Sequence, residues 1–592
     1  MNECTIVMNG PLKLSFCLLL LSSGVQSQDS AGFISLNQEG FYPNAPKIAV
    51  LVCTGDDHMF YIIRKNNADT VFSGRLTSSR HSMNSSQVTR LADFSKLSRT
   101  GTFRVVVPGC CVSYDFRIEE KVHHPSAVAS LKAFYFQRAS FPLEPEYAGR
   151  WARSAGHPDN AVIIHPSAAS AERKSGSLIS TPGGWYDAGD YNKYVVNSGI
   201  STATLLSAYE DFEVYFDTLH INIPALERPI PDILNETLYN LRWMLSMQDP
   251  ADGGVYNKCT NAVFDGMIMP DSAVKPRYVV QKSTAATLDM AAVAAQAARI
   301  LARFRKELPG LSDSCLRIAE KAWSWAEKHP DLAYDQNAMN KLFDPKIVTG
   351  GYGDKKFTDE WFWAASELYV TTGNKKYKEL IDKYIGEPFG LPSWSETGLL
   401  GYYSLIRDKK DMGMRVDKDT IRIRLTRMAD QYIQASRQNA FLTVMGGRRM
   451  DFNWGSNANA ANQGILLIRV YFLTHDQLYL DAALSNLDYI CGRNATGYCF
   501  ITGIGSFSTM HPHHRPSVAD GIPDPVPGLL AGGPNPGEQD HCQYKFHEPE
   551  TAYMDSDCAY ASNEIAINWN APLVYLTNAI EALQKQFMDK NH

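Results

Sequence analysis

Helical periodicity dominates the chain from about residue 125 onward, and this pattern constrains the fold more than any other feature. The helical spacing i, i+3, i+4, i+7 is met by the apolar residues Leu288, Ala291, Ala292 and Ala295. Other amphipathic stretches occupy 233–247, 313–326, 361–368, 421–436, 463–491 and 565–587. Alanine-rich faces let helices pack closely, and Gly- and Pro-rich loops separate the stretches. The sequence therefore predicts an array of helix pairs.

Residues 31 to about 125 follow a different pattern. Short β-rich runs at 47–53, 60–63 and 103–107 are separated by clusters of Asn, Asp, Gly and Ser, which are typical of turns. This spacing predicts a small antiparallel β-sandwich. Because a chain of 592 residues exceeds one ordinary core, we expect two folded domains, 31–125 and 126–590.

The first thirty residues are typical of an export signal. Lys13 precedes an apolar run at 14–21, and the small residues that follow allow cleavage after Ser27. The run is too short to span a bilayer, and we expect no membrane span elsewhere. These features predict a signal peptide at 1–27 and a secreted or periplasmic protein. Lipidation at Cys17 is an alternative, although Phe16 before it is unusual for a lipoprotein signal.

Cysteine usage indicates few disulfides. Of 11 cysteines, Cys4 and Cys17 lie in the predicted signal, so an odd number remains and not all can pair. The neighbours Cys110 and Cys111 cannot easily bridge each other. We expect mainly buried thiols, with room for one disulfide.

The charge balance excludes one class of partner. The net charge is −6, and no run of Lys and Arg offers the basic stripe that binding to nucleic-acid phosphates requires. A neutral or weakly charged ligand fits better. No feature indicates a second chain, and we expect a monomer.

Two aspartates, Asp187 and Asp190, stand three residues apart in the block 183–191, with only Ala188 and Gly189 between them. Carboxylates this close can converge on one water molecule, which one orients while the other takes its proton. An Asp-rich turn can equally cap a helix or hold a cation. The spacing alone leaves both interpretations open.

A single glutamate, Glu564, stands among Asn563, Ile565 and Ala566 just before an apolar helical stretch. An apolar setting raises the pKa of a carboxyl group, which suits a general acid. A glutamate stabilised by the helix dipole in a first turn is the alternative. Nearby Asp555 either assists Glu564 or caps a loop.

Residues 510–517 contain three histidines. Adjacent histidines in an extended loop point to opposite sides, and the sequence lacks HExxH, so a metal site is disfavoured. Contacts from His513 and Arg515 to sugar hydroxyls are the alternative. Aromatic residues near loops support a sugar ligand, because Trp and Tyr stack on the apolar faces of pyranose rings. These residues are Trp185, Tyr186, Trp394, Tyr402, Trp454, Tyr560 and Trp569.

Together these segments resemble glycoside hydrolase family 9, also called cellulase family E. The family's C-terminal signature is filled at every position by Tyr553, Asp555, Tyr560, Glu564, Ala566, Asn570 and Ala571. The Asp-Ala-Gly-Asp block is intact, and 454–457 and 528–535 are also similar. The histidine signature near 502–515 departs at Cys499 and Phe507. Residues 31–125 resemble the immunoglobulin-like module that precedes many bacterial members.

The resemblance implies a mostly α fold, an (α/α)6 barrel preceded by a small all-β immunoglobulin-like sandwich. It implies an inverting endo-β-1,4-glucanase with Asp190 as base, Asp187 as the residue that helps to hold the water, and Glu564 as acid. The candidate catalytic residues are Asp187, Asp190, His513, Asp555 and Glu564. The candidate substrate-binding residues are Tyr186, Trp454, Arg515, Tyr560 and Trp569.

The resemblance also bears on metals, although the chemistry is expected to need no cofactor. Relatives often bind a structural calcium ion near an Asp-Glu pair, and the residues that match are Thr358, Asp359, Glu360 and Glu396. Lys355 and Lys356 beside them weigh against this site. Relatives with the module often carry zinc on two Cys and two His. Ala139 and Gly156 occupy matching places and only His157 remains, so zinc is not expected.

The expected partner is a soluble β-1,4-linked polysaccharide or oligosaccharide. Cellulose-like chains, mixed-linkage glucan and xyloglucan contain β-1,4 linkages, and the sequence leaves the preferred one open. An exo-acting glycosidase is an alternative if the loop at 523–558 blocks one end of the cleft. A non-catalytic glycan-binding protein would require a lost carboxylate, and all three are present.

Overall fold

The computed structural model describes residues 32–53, 59–226, 229–408 and 417–587. The predicted signal peptide, with Cys4 and Cys17, lies outside these ranges. The predicted fold class is confirmed: a β-sandwich precedes a large helical barrel.

The sandwich consists of two sheets. Its strands are β1 (Phe33–Ser35), β2 (Gly40–Phe41), β3 (Ile48–Val52), β4 (Met59–Arg64), β5 (Thr70–Arg75), β6 (Arg80–His81), β7 (Val88–Asp93), β8 (Gly101–Val107), β9 (Cys111–Val112) and β10 (Phe116–Ile118). One sheet has the order β1-β3-β7-β6, and the other β2-β10-β8-β4-β5 with β9 beside β8. On β4, Phe60 and Ile62 are fully buried while Tyr61 between them is partly exposed, as the two-residue period of a strand requires.

The helical domain contains α1 (His124–Phe136), α2 (Pro145–Ala148), α3 (Val195–Asp211), α4 (Glu213–Phe216), α5 (Asp232–Ser246), α6 (Thr284–Leu301), α7 (Leu311–Lys328), α8 (Gln336–Leu342), α9 (Thr358–Thr372), α10 (Lys375–Tyr384), α11 (Gly398–Arg407), α12 (Lys418–Ser436), α13 (Ser456–Thr474), α14 (Gln477–Ile490), α15 (Arg515–Ala519), α16 (Tyr560–Asn563) and α17 (Ile567–Ala582). The inner ring is formed by α3, α6, α9, α11, α13 and α17, and the outer ring by α1, α5, α7, α10, α12 and α14. Inner and outer helices alternate along the chain, so the inner helices run in one direction and begin at one end of the barrel.

Two helical regions differ from the sequence predictions. The helix Thr284–Phe304 is long and apolar enough to cross a membrane, contrary to our expectation that no later stretch would be, but it is buried in the barrel core. The amphipathic stretch 463–491 is divided between two helices, α13 and α14. His475 adopts a left-handed conformation with a φ of 55° and ends α13, and the Asp476 side chain caps α14.

A five-stranded sheet that the sequence did not predict lies beside the barrel. It contains β11 (Val162–Ile164), β12 (Leu178–Ile179), β13 (Lys193–Tyr194), β14 (Lys258–Asn261) and β15 (Arg277–Val279), in the order β12-β11-β15-β14-β13. Because β13 leads directly into α3, this sheet fixes the entry to the first inner helix.

The sandwich packs directly on the barrel. Gln38 accepts a hydrogen bond from the Ser506 N–H at 2.9 Å and donates one to the Gly497 carbonyl at 2.9 Å. Asn37 donates to Asp488 at 2.7 Å across the same boundary. The sandwich therefore holds the loop that leads to the histidine segment.

Cysteine behaviour agrees with expectation. Cys542 and Cys558 form a disulfide in the long loop before α16. The other cysteines of the described ranges form no disulfide: Cys53, Cys110, Cys111, Cys259, Cys315, Cys491 and Cys499.

Candidate active site

Three chain segments meet at the end of the barrel where the inner helices begin. Ala188 pairs with Ala566 in an antiparallel bridge, and His513 pairs with Glu564 in a parallel one. A Cβ atom on Gly189 would lie 2.1 Å from the His513 carbonyl oxygen, so only glycine fits between Ala188 and Asp190. The His513 backbone therefore contacts both the aspartate loop and the segment that carries Glu564, and those two segments also contact each other.

Asp187 is buried, and both of its carboxylate oxygens accept hydrogen bonds. Its Oδ1 accepts a hydrogen bond from Asn197 Nδ2 at 2.8 Å, and its Oδ2 accepts one from the Tyr352 hydroxyl at 2.9 Å. Burial, followed by the charge of Asp190, raises the Asp187 pKa to about 8, and the two donors oppose this rise. The donors therefore favour the ionised form in a setting that otherwise disfavours it.

Asp190 lies three residues further along the same loop. Its Oδ2 accepts hydrogen bonds from Asn192 Nδ2 at 2.5 Å and from the Tyr194 hydroxyl at 3.2 Å. Two donors on one oxygen stabilise a carboxylate, which is the form that a general base requires.

Glu564 is partly buried beside this pair. Burial raises its pKa well above the usual range, and the charges of Asp190 and Asp187 raise it further. Arg515 and the Gly189 N–H act in the opposite direction. A carboxyl group that keeps its proton next to a carboxylate pair is suited to act as a general acid.

The second acidic candidate, Asp555, holds a loop. Its two carboxylate oxygens accept hydrogen bonds from the backbone N–H groups of Met510 at 2.9 Å and His511 at 2.8 Å, and the Asn563 side chain donates to it at 3.2 Å. Of the two roles left open by the sequence, these contacts favour the loop cap. Asp555 thereby fixes the segment that carries His513.

The histidines divide by environment. His513 is partly exposed, and its Nδ1 lies 2.5 Å from the Asp557 carbonyl, so the carbonyl orients the ring. His514 is buried between Ser517 and Gln137, and burial lowers its pKa to about 3. His514 is therefore a neutral structural residue. His511 is exposed, and His513 is the accessible histidine whose ring lies beside Tyr560.

Arg515 is buried and makes its hydrogen bonds to the backbone. Its Nη1 donates to the Gly189 carbonyl at 2.7 Å, and its Nε and Nη2 donate to the Asp265 carbonyl at 3.1 and 2.9 Å. The residue predicted to contact sugar thus ties the aspartate loop to residue 265, and its charge acts on Glu564.

A row of exposed and partly exposed rings lies beside Glu564. The Trp454 ring, 43% exposed, lies 5.7 Å from the Tyr560 ring, which lies 5.7 Å from the His513 ring. Trp569 is partly buried beneath them, against Gly455. These rings form a surface on which a sugar chain can stack.

Tyr186 was predicted to bind substrate, and this prediction is wrong. The side chain is 1% exposed and its hydroxyl lies 2.9 Å from His157 Nδ1, within a small apolar cluster. Trp185 is also fully buried and donates to Glu236 at 2.8 Å. Both residues therefore support the aspartate loop from inside.

Sequence reasoning missed the donors to the aspartate pair. Tyr194 and Asn192 follow Asp190 closely enough that a search of the flanking residues could have found them. Tyr352 is 165 residues from Asp187, and no local pattern pointed to it.

The predicted calcium ligands lie in a group of buried acidic residues. Thr358 begins α9, and Asp359 accepts a hydrogen bond from the Thr397 N–H at 2.7 Å. Among the described residues, none donates a hydrogen bond to either oxygen of buried Glu360. Burial, followed by the charge of Asp359, raises the Glu396 pKa to about 7. Oxygen ligands suit calcium. However, within the described part of the chain no three His, Cys, Asp or Glu side chains are placed to hold one ion, so calcium stays a prediction.

Comparisons with known proteins agree with this geometry. The profile of glycosyl hydrolase family 9 matches residues 126–577, and that of the cellulase N-terminal ig-like domain matches 29–111. A xyloglucan-specific endo-β-1,4-glucanase of Bacteroides ovatus is 46% identical over 553 residues, covering 93% of this chain and 94% of that protein. Endoglucanase D of Acetivibrio thermocellus is 30% identical over 551 residues, covering 92% and 82%. A solved Bacteroides ovatus family 9 structure has a TM-score of 0.88 at 44% identity, covering 93% of this chain and 99% of that one.

Proposed function

The chain belongs to glycosyl hydrolase family 9 and is a glycoside hydrolase, and on that premise we propose that it is an inverting endo-β-1,4-glucanase. The observation that carries this proposal is the division among three acidic groups. Asp187 and Asp190 receive hydrogen bonds that favour ionisation and oppose the rise of the Asp187 pKa to about 8. The pKa of Glu564 beside them is raised well above its usual range by burial and by the two aspartates. One base and one acid are thus prepared in the same site.

The reaction follows from this division. Glu564 donates its proton to the glycosidic oxygen as the bond to the leaving sugar breaks. Asp190 takes a proton from a water molecule that attacks the opposite face of the sugar ring, and Asp187 helps to orient that water. Inversion requires room for the water, with carboxyl groups roughly 6.5–9.5 Å apart.

We further propose that the substrate is a soluble β-glucan and that xyloglucan is the first to test. The relative from Bacteroides ovatus that is 46% identical is named as xyloglucan-specific and matches nearly the whole of this chain. The row formed by exposed Trp454 and partly exposed Tyr560 and His513 supports binding of a sugar chain beside Glu564.

The test is a digestion of xyloglucan, mixed-linkage glucan, glucomannan and carboxymethyl cellulose by the purified enzyme, followed by NMR and product sizing. An inverting endo-enzyme releases oligosaccharides of mixed length, and α-anomers appear first from the β-linked polymer. A first β-anomer would contradict inversion. A single short product from the start would favour an exo-acting enzyme, and no cleavage would favour a glycan-binding protein.

Export is a separate proposal that rests on the signal-like residues 1–27. We expect the mature protein to be secreted or periplasmic and to begin at Gln28. N-terminal sequencing of protein from cell fractions tests this. Protein recovered only in the cytoplasm with its leader intact would contradict it.

A further inference from the structure

Lys258 is a buried lysine near Asp187 and Asp190. Its side chain on β14 is fully buried, and its Nζ donates to Gln336 Oε1 at 2.6 Å, Thr349 Oγ1 at 3.1 Å and the Gly350 carbonyl at 2.6 Å. All three acceptors are neutral. Burying an ammonium group is unfavourable unless its charge is compensated, so its presence here needs an explanation.

The lysine holds the chain at residues 349–352, here called the 349–352 segment. The Gly350 N–H donates to the Tyr194 hydroxyl at 3.1 Å, and that hydroxyl donates to Asp190. Tyr352, at the end of the segment, donates to Asp187. Both tyrosine donors of the aspartate pair are therefore placed by a segment that Lys258 binds.

A second chain of hydrogen bonds joins the same groups. The hydroxyls of Thr349 and Thr260 lie 2.6 Å apart, and Thr260 donates to Asn192 Oδ1 at 2.9 Å. Asn192 in turn donates to Asp190. Lys258 is thus connected to Asp190 through two routes, one through Tyr194 and one through Thr349.

The backbone of the segment requires such support. Tyr352 has a φ of 48°, in the left-handed region that non-glycine residues rarely adopt, and a Cβ atom on Gly350 would lie 3.1 Å from the Tyr194 hydroxyl. A strained conformation persists where the surrounding contacts fix it. Those contacts are the bonds from Lys258 and the donation of Gln336 Nε2 to the Thr349 carbonyl at 2.7 Å.

We propose that Lys258 is a positioning residue for the aspartate pair: it fixes the 349–352 segment so that Tyr194 and Tyr352 donate to the two carboxylates, and its positive charge favours their ionised state. This inference rests on the proposed glucanase function. Burial lowers the pKa of Lys258 to about 7, and the charges of Asp190 and Asp187 oppose that fall. The protonated lysine in turn lowers the Asp187 pKa. The lysine is therefore charged at pH 5, where the test below is made. The titratable or charged groups that face the pair are Lys258, Tyr194, Tyr352, His513, Arg515 and Glu564.

The test compares Lys258→Met with Lys47→Met. Lys47 in the sandwich is equally buried, and its Nζ donates to the neutral carbonyls of Tyr42, Pro43 and Ala45. For Lys258→Met we expect the acidic side of the pH profile of kcat/KM to shift to higher pH by about one pH unit, because the aspartate pair loses a nearby cation. We expect kcat at pH 5 to fall on the order of tenfold with KM nearly unchanged. Lys258→Arg, which keeps the charge, should keep the acidic side of the profile in place.

The outcomes separate the two proposals. A lower Tm in both methionine variants with unmoved pH profiles would show that Lys258 is merely structural. If Lys258→Met does not fold, Thr349→Val, which removes one route to Asp190, should shift the acidic side of the profile in the same direction by a smaller amount. An unchanged pH profile in that variant would contradict the proposed role of Lys258 without contradicting the proposed glucanase function. A wild-type enzyme that cleaves no β-glucan contradicts the proposed function first.

Discussion

The structure contains two groups of buried acidic side chains, and they are satisfied in different ways. One is the active-site group of Asp187, Asp190 and Glu564. The other, the Glu360 cluster, consists of Asp289, Asp354, Asp359, Glu360 and Glu396. Both lie where inner helices begin, and burial raises the pKa values of Asp187 and Glu564 in one group and of Asp289, Asp359, Glu360 and Glu396 in the other. Only in the first group do Asn and Tyr side chains donate to the carboxylates, whereas neither oxygen of Glu360 accepts a hydrogen bond.

This difference shows that a perturbed pKa alone does not locate catalysis. Donors aimed at Asp187 and Asp190 favour their ionised forms and oppose the rise of the Asp187 pKa to about 8, whereas the Glu564 pKa is raised well above its usual range. The site can therefore hold an acid beside a base. The Glu360 cluster has no such division. Its like charges must be removed together, by protons or by a cation.

The largest expected effect is a loss of kcat on substitution of the active-site group, with no comparable loss on substitution of Glu360. Glu564→Gln and Asp190→Asn should each lower kcat about 10³-fold, within the usual range for loss of a general acid or base. Glu360→Gln should leave kcat within about twofold, because Glu360 contacts no proposed catalytic group. Assays on the preferred glucan, with circular dichroism to verify folding, provide the measurement. Near-normal turnover in either active-site variant would remove its residue from the mechanism.

The site residues that could be predicted from the sequence are those that belong to a short motif, whereas residues brought in from distant parts of the chain could not be predicted. The Asp-Ala-Gly-Asp spacing and the C-terminal signature located Asp187, Asp190 and Glu564, which the fold then brings together. Tyr186 was misassigned because neighbouring side chains in an extended loop point to opposite sides, so the residue before Asp187 faces the interior. Tyr352 could not be predicted, since only the folding of the barrel places it beside the aspartates.

The fold was predictable to a similar degree. Strong periodicity and alanine-rich faces indicated the helices. The five-stranded sheet escaped because its strands are two to four residues long, too short to show a period. Lys258 lies on one of those strands, so its role depends on structure that the sequence pattern did not reveal.

The second prediction concerns stability and pH. The Glu360 pKa is raised by burial and by Asp359, so the folded protein holds a proton that the unfolded chain releases above about pH 4.5. Stability from this group is therefore present at low pH and lost as the pH rises toward the folded pKa. Glu360→Gln removes this loss and should raise the free energy of unfolding by about 2 kcal/mol at pH 8, with little change at pH 4. Urea denaturation in EDTA at both pH values tests this, and an equal gain at both would contradict it.

A smaller effect is expected from the donors in the active site. Tyr352→Phe removes the hydroxyl that donates to Asp187 Oδ2, which raises the Asp187 pKa further. We expect kcat to fall about tenfold, matching the loss of one hydrogen bond to a charged group. The matched control is Tyr489→Phe, since the buried Tyr489 hydroxyl has no hydrogen-bond partner among the described residues. Equal activity losses in the two variants would show that the effect is not specific to Asp187.

The smallest expected effect is that of calcium on the Glu360 cluster. The group offers only oxygen ligands, with unpartnered oxygens on Asp354, Glu360 and Glu396, yet no three acidic side chains in the described ranges are placed to hold one ion. Binding must therefore rearrange the side chains, and we expect 1 mM calcium to stabilise the wild-type protein by only about 1 kcal/mol at pH 7. A small rise in Tm over EDTA that disappears in Glu360→Gln, with kcat unchanged, would show that a cation neutralises the cluster. An unchanged wild-type Tm would contradict calcium binding to the Glu360 cluster. Protons would then be the species that neutralises the cluster, in contrast to the active site, where hydrogen-bond donors stabilise the carboxylates.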